Sequence, residues 1–268
     1  MKGNHFAKII IIGIMLSALL ISTAGCSGGH DNSLQKVLDK GEFVLGFDPN
    51  HPPSGFIDEN GNVVGFDIDL AQEVCDRMGV KLVATEIDWD RKEQILKSGK
   101  IDCIWNGLTV NESRAKIMNL SEAYMQNEPV FVVPIDSDIE YLNDLKGKFI
   151  GIQSGHSAEE SIIQTDIYKS ITIVEEVDNE ELFSDMYAGR IDSIVLDSVV
   201  ANYYQAEGMY DFRILSATLG TEDYAIGFRK NDDALKEKVE EILHEMKDDG
   251  TLADISGKWF GKDVTTLK

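Results

Sequence analysis

Cysteine, histidine and proline are all scarce in this chain, and each shortage removes a class of explanation. Three cysteines and five histidines are spread over 268 residues, with no Cys-x-x-Cys pair and no two histidines at ligand spacing. A metal site and a cofactor are therefore not expected. Positive charge is short as well: 25 Lys and Arg stand against 47 Asp and Glu, a formal charge of −22. A phosphate backbone would be repelled, which excludes nucleic acid as a partner. Nor is there a long apolar run: the best, Ile9 to Ile21, is too short for a comfortable membrane span. No long internal repeat occurs. The 43% hydrophobic content nevertheless suffices for ordinary cores, in one large or two moderate domains.

The N-terminus reads as a processing signal. Lys2 and Lys8 lead into the apolar run, Ser22-Thr23-Ala24-Gly25 follows it, and then comes Cys26. This resembles a bacterial lipobox, with Thr23 where Leu is commonest. The resemblance implies a signal peptide over residues 1–25 and lipidation of Cys26. The protein would then sit at the cell membrane on its extracytoplasmic face, as a Gram-positive-type surface lipoprotein. An ordinary cleaved signal peptide is the alternative. Residues 26–33 read as a flexible tether. Cys75 and Cys103 remain, one on the apolar side of a predicted helix and one in a predicted strand. An oxidising compartment permits a disulfide, but two buried thiols are expected.

From about residue 34 strand and helix signals alternate. Helix Leu34 to Lys40 precedes strand Phe43 to Phe47, and the prolines of Asp48-Pro-Asn-His-Pro-Pro53 then force a loop. Asp58-Glu-Asn-Gly61 signals a hairpin turn. Asp67 is placed to cap a helix with Leu70, Ala71, Val74, Cys75 and Met78 on one face. Strand Lys81 to Ile87, Trp89 and a helix through Leu96 follow. A second array runs from strand Phe149 to Ile152 to helix Val199 to Gln205, and a long helix carries Leu235, Val239, Ile242, Leu243 and Met246 on one face. Such alternation implies an α/β fold with largely parallel sheets.

Two stretches echo one another: Gly99-Lys100-Ile101-Asp102-Cys103-Ile104 and Gly189-Arg190-Ile191-Asp192-Ser193-Ile194. A shared helix-to-strand connection accounts for the echo itself. In the first, Ile101 to Trp105 reads as a buried strand that Asn106-Gly107 breaks, with Thr109 and Arg114 beyond it. The second strand ends beside Asp197. Small ligands sit past the carboxyl ends of strands in open α/β sheets. One loop offers a cation and the other an anion, which matches the two ends of a free amino acid.

Gly65-Phe66-Asp67-Ile68-Asp69-Leu70-Ala71 is followed by Ser98-Gly99-Lys100-Ile101-Asp102, by Gly107-Leu108-Thr109 with Arg114, and by Asp248-Asp249-Gly250-Thr251 with Lys258-Trp259-Phe260. In that order they resemble the polar amino-acid binding proteins of bacterial ABC importers, over about residues 35 to 261. The resemblance implies a two-lobed periplasmic-binding-protein-like fold of type II. Lobe 1 would hold residues 34–130 and 222–268, and lobe 2 residues 131–221, with a two-strand hinge near Pro129–Phe131 and Glu222–Ala225. It also implies a monomeric receptor that closes around a polar L-amino acid and delivers it to a membrane permease and its ATPase.

Position by position, Arg114 resembles the family's α-carboxylate clamp, a bidentate role that Lys would not reproduce. Thr109 and the backbone of Gly107 resemble its neighbouring contacts, and Asp197 the acid that receives the ammonium. Trp89 is similar in position to the apolar cover of the ligand side chain. His51 stands where an aromatic ring usually packs, a departure that gives the ligand stem a polar neighbour. Asp48 falls where the distal end is read, and Gln153, His156 and Ser157 lie in what resembles the second lobe's ligand loop. Plainer readings exist for each. Arg114 pairs with Glu112 or Glu122 in one, and Asp197 and Ser157 cap helices. Trp89 is core, Asp48 satisfies turn donors, and the histidines are idle.

Asp48, the acidic balance and the neutral Gln153 favour arginine or lysine as ligand. Glutamine or histidine comes next, since Asp48, Asn106 and Gln153 also suit an amide or imidazole. A dehydratase of the same fold acting on a small amino-acid-like acid is the competing class. Against it, Gly151-Ile-Gln-Ser-Gly155 displaces its Ser from nucleophile-elbow spacing. A receptor's sensor domain is a third class, disfavoured because no transmembrane helix follows in this sequence.

Overall fold

The computed structural model describes residues 31–268; the expected signal peptide, Cys26 and the tether as far as His30 lie outside the described residues. Helix α1 (Ser33–Lys40) passes through Gly41, at φ +70°, into β1 (Glu42–Phe47). Ser33 is thus helical rather than part of a tether, and its hydroxyl accepts from the Leu235 N–H. Between Pro49 and Pro52 lies β2 (Asn50–His51), which forms a small antiparallel sheet with β3 (Gly55–Ile57) and β4 (Val63–Val64). Then come α2 (Phe66–Met78), β5 (Lys81–Glu86), a single 3-10 turn at Trp89–Arg91, and α3 (Lys92–Lys97). The chain continues through β6 (Cys103–Thr109), α4 (Glu112–Ile117), β7 (Met118–Leu120) and β8 (Met125–Asn127).

The second array is β9 (Pro129–Pro134), β10 (Phe149–Gln153), α5 (Ala158–Ile163), β11 (Thr172–Glu176), α6 (Asn179–Tyr187), β12 (Ser193–Asp197), α7 (Ser198–Glu207) and β13 (Phe212–Thr218). The chain then returns through β14 (Glu222–Arg229) to α8 (Asp233–Asp249) and α9 (Thr251–Phe260). One sheet is ordered β5-β1-β6-β14-β7, with β8 also on β14; the other is β11-β10-β12-β9-β13. The chain crosses between them at Glu128 and again at 219–221. Pro129 and Val130 already pair with Asp197 and Leu196 of the second sheet.

Both sheets are mixed, which corrects the expectation of largely parallel ones. β1 runs parallel to β5 and β6, and β10 parallel to β11 and β12. The strands that follow a crossing, β9 and β14, run antiparallel to their neighbours. A strand arriving from the other sheet needs no crossover helix, so the parallel rule does not bind it.

Period-two alternation builds each core. Phe43, Leu45 and Phe47 enter one cluster and Val44 the cluster on the opposite face; Phe131 and Val133 likewise part from Val130 and Val132. Cys75 and Cys103 are buried free thiols within the first of these clusters.

The sequence echo has one structural role in both sheets. Asp102 N–H donates to Val44 O and its carboxylate accepts from Val44 N–H; Asp192 does the same with Phe149. Ile101 fills the space beside Gly46, where a Cβ would stand 2.6 Å from its Cδ1, and Ile191 fills the equivalent space beside Gly151 at 2.6 Å. The repeat therefore sets the register of the parallel strands.

Asn106-Gly107 does not break the strand. β6 continues to Thr109 through a bulge, with the partner register slipping between Ala225 and Gly227. The turn-type residues are accommodated because loops and helices satisfy their polar groups. Asn106 Oδ1 accepts from Asp48 N–H (2.9 Å) and Gly107 N–H donates to Asp67 Oδ2 (2.8 Å). Asp67 is thereby not a cap; Gly65 precedes the helix instead. Gly107 has φ +62°, and a Cβ there would lie 2.9 Å from His51 Nε2. Gly107→Ala is expected to lower stability by about 1–3 kcal/mol in urea unfolding. A loss below about 0.5 kcal/mol would mean that the bulge relaxes freely.

Candidate functional site

The carboxyl ends of β1, β6, β10 and β12, with the loops that leave them, bring the candidate residues together between the two sheets. Arg114 sits on the first turn of α4, whose N-cap Asn111 accepts from the Arg114 N–H at 2.8 Å. Its side chain is 5% exposed. Nη1 donates to Thr109 O (2.8 Å) and Nη2 to Gly155 O of the second sheet's loop (3.1 Å). Neither surface partner suggested by sequence is used: Glu112 lies near Lys116 and Glu122 near His244. Burial weighs against the guanidinium charge, opposed by the more distant Glu93, Glu222, Glu160 and Asp197. Among the described residues, no carboxylate pairs with it directly.

Asp197 ends β12 at the N-cap position of α7, yet its side chain makes no cap bond. It is turned toward the cleft, where Oδ1 accepts from Asn127 Nδ2 (2.6 Å) and Oδ2 meets His156 Nε2 (3.2 Å). His51 Nε2 comes within 3.3 Å of the same oxygen, off the line of a hydrogen bond. Burial alone would raise the Asp197 pKa, but the charge and hydrogen bond of His156, with the charge of His51, hold it far below the usual carboxylate range. For His156, burial opposes charge, but Asp197 outweighs it and raises the pKa. His156 Nδ1 accepts from Ala158 N–H, so the proton of the neutral ring faces Asp197. His51 goes the other way: burial outweighs Asp197 and Asp48 and lowers its pKa. Two histidines beside one carboxylate are thus shifted in opposite directions.

Asp48 accepts from Asn50 N–H, as a turn residue would, and also from Gln153 Nε2 at 2.6 Å across the cleft. Asn106 anchors the Asp48 backbone and donates to Gly55 O. Ser157 Oγ lies 3.0 Å from Thr109 Oγ1 and 3.1 Å from Glu222 Oε2, and makes no cap bond to α5. Trp89 packs with Ile87 and Leu96, its ring beneath the Lys92 ammonium. A cavity of about 250 Å3 opens beside Arg114, with Ser113 and Glu93 on one side and His156, Ser157 and Glu160 on the other.

Four residues here escape a sequence reading: Lys92, Asn127, Gly155 and Glu222. Lys92 falls within a predicted helix, Asn127 just before a predicted strand, and Glu222 at the expected hinge. For Gly155 the only local signal is its place between Ser154 and His156. Each role depends on what the opposite sheet brings up to it.

Residues 43–262 match the sequence profile described as bacterial extracellular solute-binding proteins, family 3. The L-cystine-binding protein TcyJ of Escherichia coli (strain K12) is 28% identical over 267 residues, spanning 99% of this chain and 100% of its own. A crystal structure of an ABC uptake transporter substrate-binding protein from Streptococcus pneumoniae with bound histidine superposes with a TM-score of 0.84. It has 36% identity and covers 89% of this chain and 99% of that one. Tv2483 bound to L-arginine gives a TM-score of 0.85 at 29% identity, covering 88% and 97%.

Beneath the site, burial raises the Asp67 carboxyl to about 7 despite the Gly107 N–H and the nearby Tyr124 and Trp105. The folded chain keeps a proton there that the unfolded chain loses near pH 4. Stability from this group is full below pH 4 and is lost as pH rises through 7. Asp67→Asn cannot titrate. Its melting temperature is therefore expected to gain on that of the parent between pH 5 and pH 8, by the equivalent of at most about 3 kcal/mol. A constant difference would exclude Asp67 as the titrating group.

Proposed function

We propose, from the premise that this chain belongs to the bacterial extracellular solute-binding proteins of family 3, that it is the amino-acid receptor of an ABC importer. In this reading two lobes, residues 34–128 with 222–268 and residues 129–221 (Pro129 and Val130 going with the second sheet rather than the first), close on a polar L-amino acid and present it to the permease and its ATPase. The observation that carries the reading is Arg114: a buried guanidinium satisfied by two carbonyl oxygens and neutralised by no adjacent acid. A carboxylate entering the cleft would supply the missing charge, in the planar bidentate geometry Arg favours. Asp197 faces it from the other lobe as the acceptor for the ligand's ammonium, with His156 and His51 yielding that oxygen. Thr109, Ser157 and the Gly107 backbone line the polar end; Trp89 and His51 flank the stem.

Asp48, Gln153 and Asn106 read the distal group. Asp48 and the acidic cavity wall support arginine or lysine first, then glutamine or histidine. The proteins similar to this one include one with bound L-arginine, one with bound histidine and one named for L-cystine. Binding without turnover, a monomeric state and anchoring to the cell membrane through Cys26 belong to the same proposal. A turnover assay with bound ligand tests it against the dehydratase reading, because a receptor returns its ligand unchanged.

A thermal-shift panel of arginine, lysine, glutamine, histidine and cystine is expected to raise the melting temperature with at least one of them. A flat response across the common amino acids would remove the receptor reading. Arg114→Ala should weaken that ligand by about 2–4 kcal/mol, roughly 30- to 1000-fold, in calorimetry; near-normal affinity would take Arg114 out of the site. Asp48→Asn should harm a cationic ligand far more than a neutral one, and equal losses would defeat the cationic assignment.

A further inference from the structure

We propose that Lys92 is a positioning residue for lobe closure: its ammonium grips the Gly155 carbonyl of the opposite lobe, holds the Gln153–Ser157 segment against Arg114, and so sets how long a captured amino acid is retained. The ligand arm of this inference rests on the receptor reading above, while the closure arm does not.

Lys92 is 2% exposed, and burying an ammonium is costly unless oxygens replace its water. Its neighbour Glu93 reaches only to 3.5 Å. Two backbone carbonyls do the rest: Trp89 O at 3.0 Å from the same lobe, and Gly155 O at 2.8 Å from the other. Burial first, and then the Arg114 charge, bring the Lys92 pKa down to about 8.

The other side of the contact is equally restrictive. Gly155 has φ +73°, and a Cβ there would stand 3.0 Å from Asp90 Cα, 3.1 Å from Lys92 Nζ and 3.2 Å from Trp89 O. A Cβ there would have to push these neighbours back by a few tenths of an ångström in a backbone conformation side chains rarely adopt, so the loop lies directly on the first lobe. The same carbonyl also takes Arg114 Nη2 at 3.1 Å, so two cations of one lobe converge on one oxygen of the other. All these bonds join protein groups, so the clasp operates whether or not the cleft is filled. Separating the lobes removes Gly155 O and leaves Lys92 its own-lobe contacts. An interaction present in one arrangement alone shifts the equilibrium toward it and acts on departure rather than arrival.

Lys92→Met keeps the stem over Trp89 and removes the donors; Gly155→Ala obstructs the seat from the opposite lobe. With L-arginine and L-histidine as probes, stopped-flow tryptophan fluorescence should show koff raised about tenfold in Lys92→Met, with kon within about twofold, the loss of one charged hydrogen bond. Gly155→Ala should show the same split, and the double variant should be no worse than the weaker single one. Unchanged koff, a loss confined to kon, or additive losses would overturn the proposal. Small-angle scattering without added ligand should give Lys92→Met a larger radius of gyration than the parent. If the parent binds neither probe, the receptor reading is what fails there, and scattering alone decides the clasp: equal radii would refute it. Should Lys92→Met not fold, Gly155→Ala carries both measurements.

Discussion

A guanidinium does not give up its proton inside a protein, so burying Arg114 obliges the fold to surround it with oxygen. The oxygens come from Thr109, on the same strand end, and from Gly155, on a loop of the other sheet. That second source ties the two lobes together, because Nη2 finds this oxygen only when the loop after β10 is in place. The rest of the cleft follows the same pattern. Asp197 is met by Asn127 and His51 from the first lobe, Asp48 by Gln153 from the second, and Ser157 reaches Thr109 and Glu222. Polar groups that a lone lobe would leave to water are paired across the gap.

Such an interface suits a receptor better than a permanent core. Its bonds are polar and mutually exchangeable, so an incoming zwitterion can replace them without a large net change in hydrogen bonding. The histidines add a graded response at Asp197. Asp197 raises the pKa of His156, whereas burial lowers that of His51. The carboxylate thus remains ionised among groups able to give way to an ammonium.

The two lobes are built by one local device used twice. Gly99 and Gly189 end helices in the left-handed region, Ile101 and Ile191 fill the space beside a strand glycine, and Asp102 and Asp192 tie down the neighbouring strand. What differs is what each strand carries past its end: a bulge with Gly107 and Thr109 leading to Arg114 in one, the Asp197 carboxylate, met by Asn127 and His156, in the other. The scaffold repeats, and the chemistry at its edge is complementary.

Much of this was legible in the residues. Alternation placed the strands, the glycines ended the helices, and the echo around Asp102 and Asp192 pointed to both strand ends that carry the charged pair. These are local features, governed by propensity and periodicity, and they need no knowledge of the partner sheet. Asn106-Gly107 was misread for an instructive reason: a turn dipeptide becomes a bulge when Asp48 and Asp67 satisfy its backbone and side chain from elsewhere. Asp67, placed by sequence to cap its own helix, holds the Gly107 N–H instead, because that partner comes from a distant strand. Lys92, Asn127, Gly155 and Glu222 gave no local signal, since each acts only on a neighbour far away in the chain. The sequence by itself determined the strands, the helices and which charges stand at their ends. Only the tertiary structure decided which of those charges meet, because that depends on how two separately encoded sheets are brought face to face.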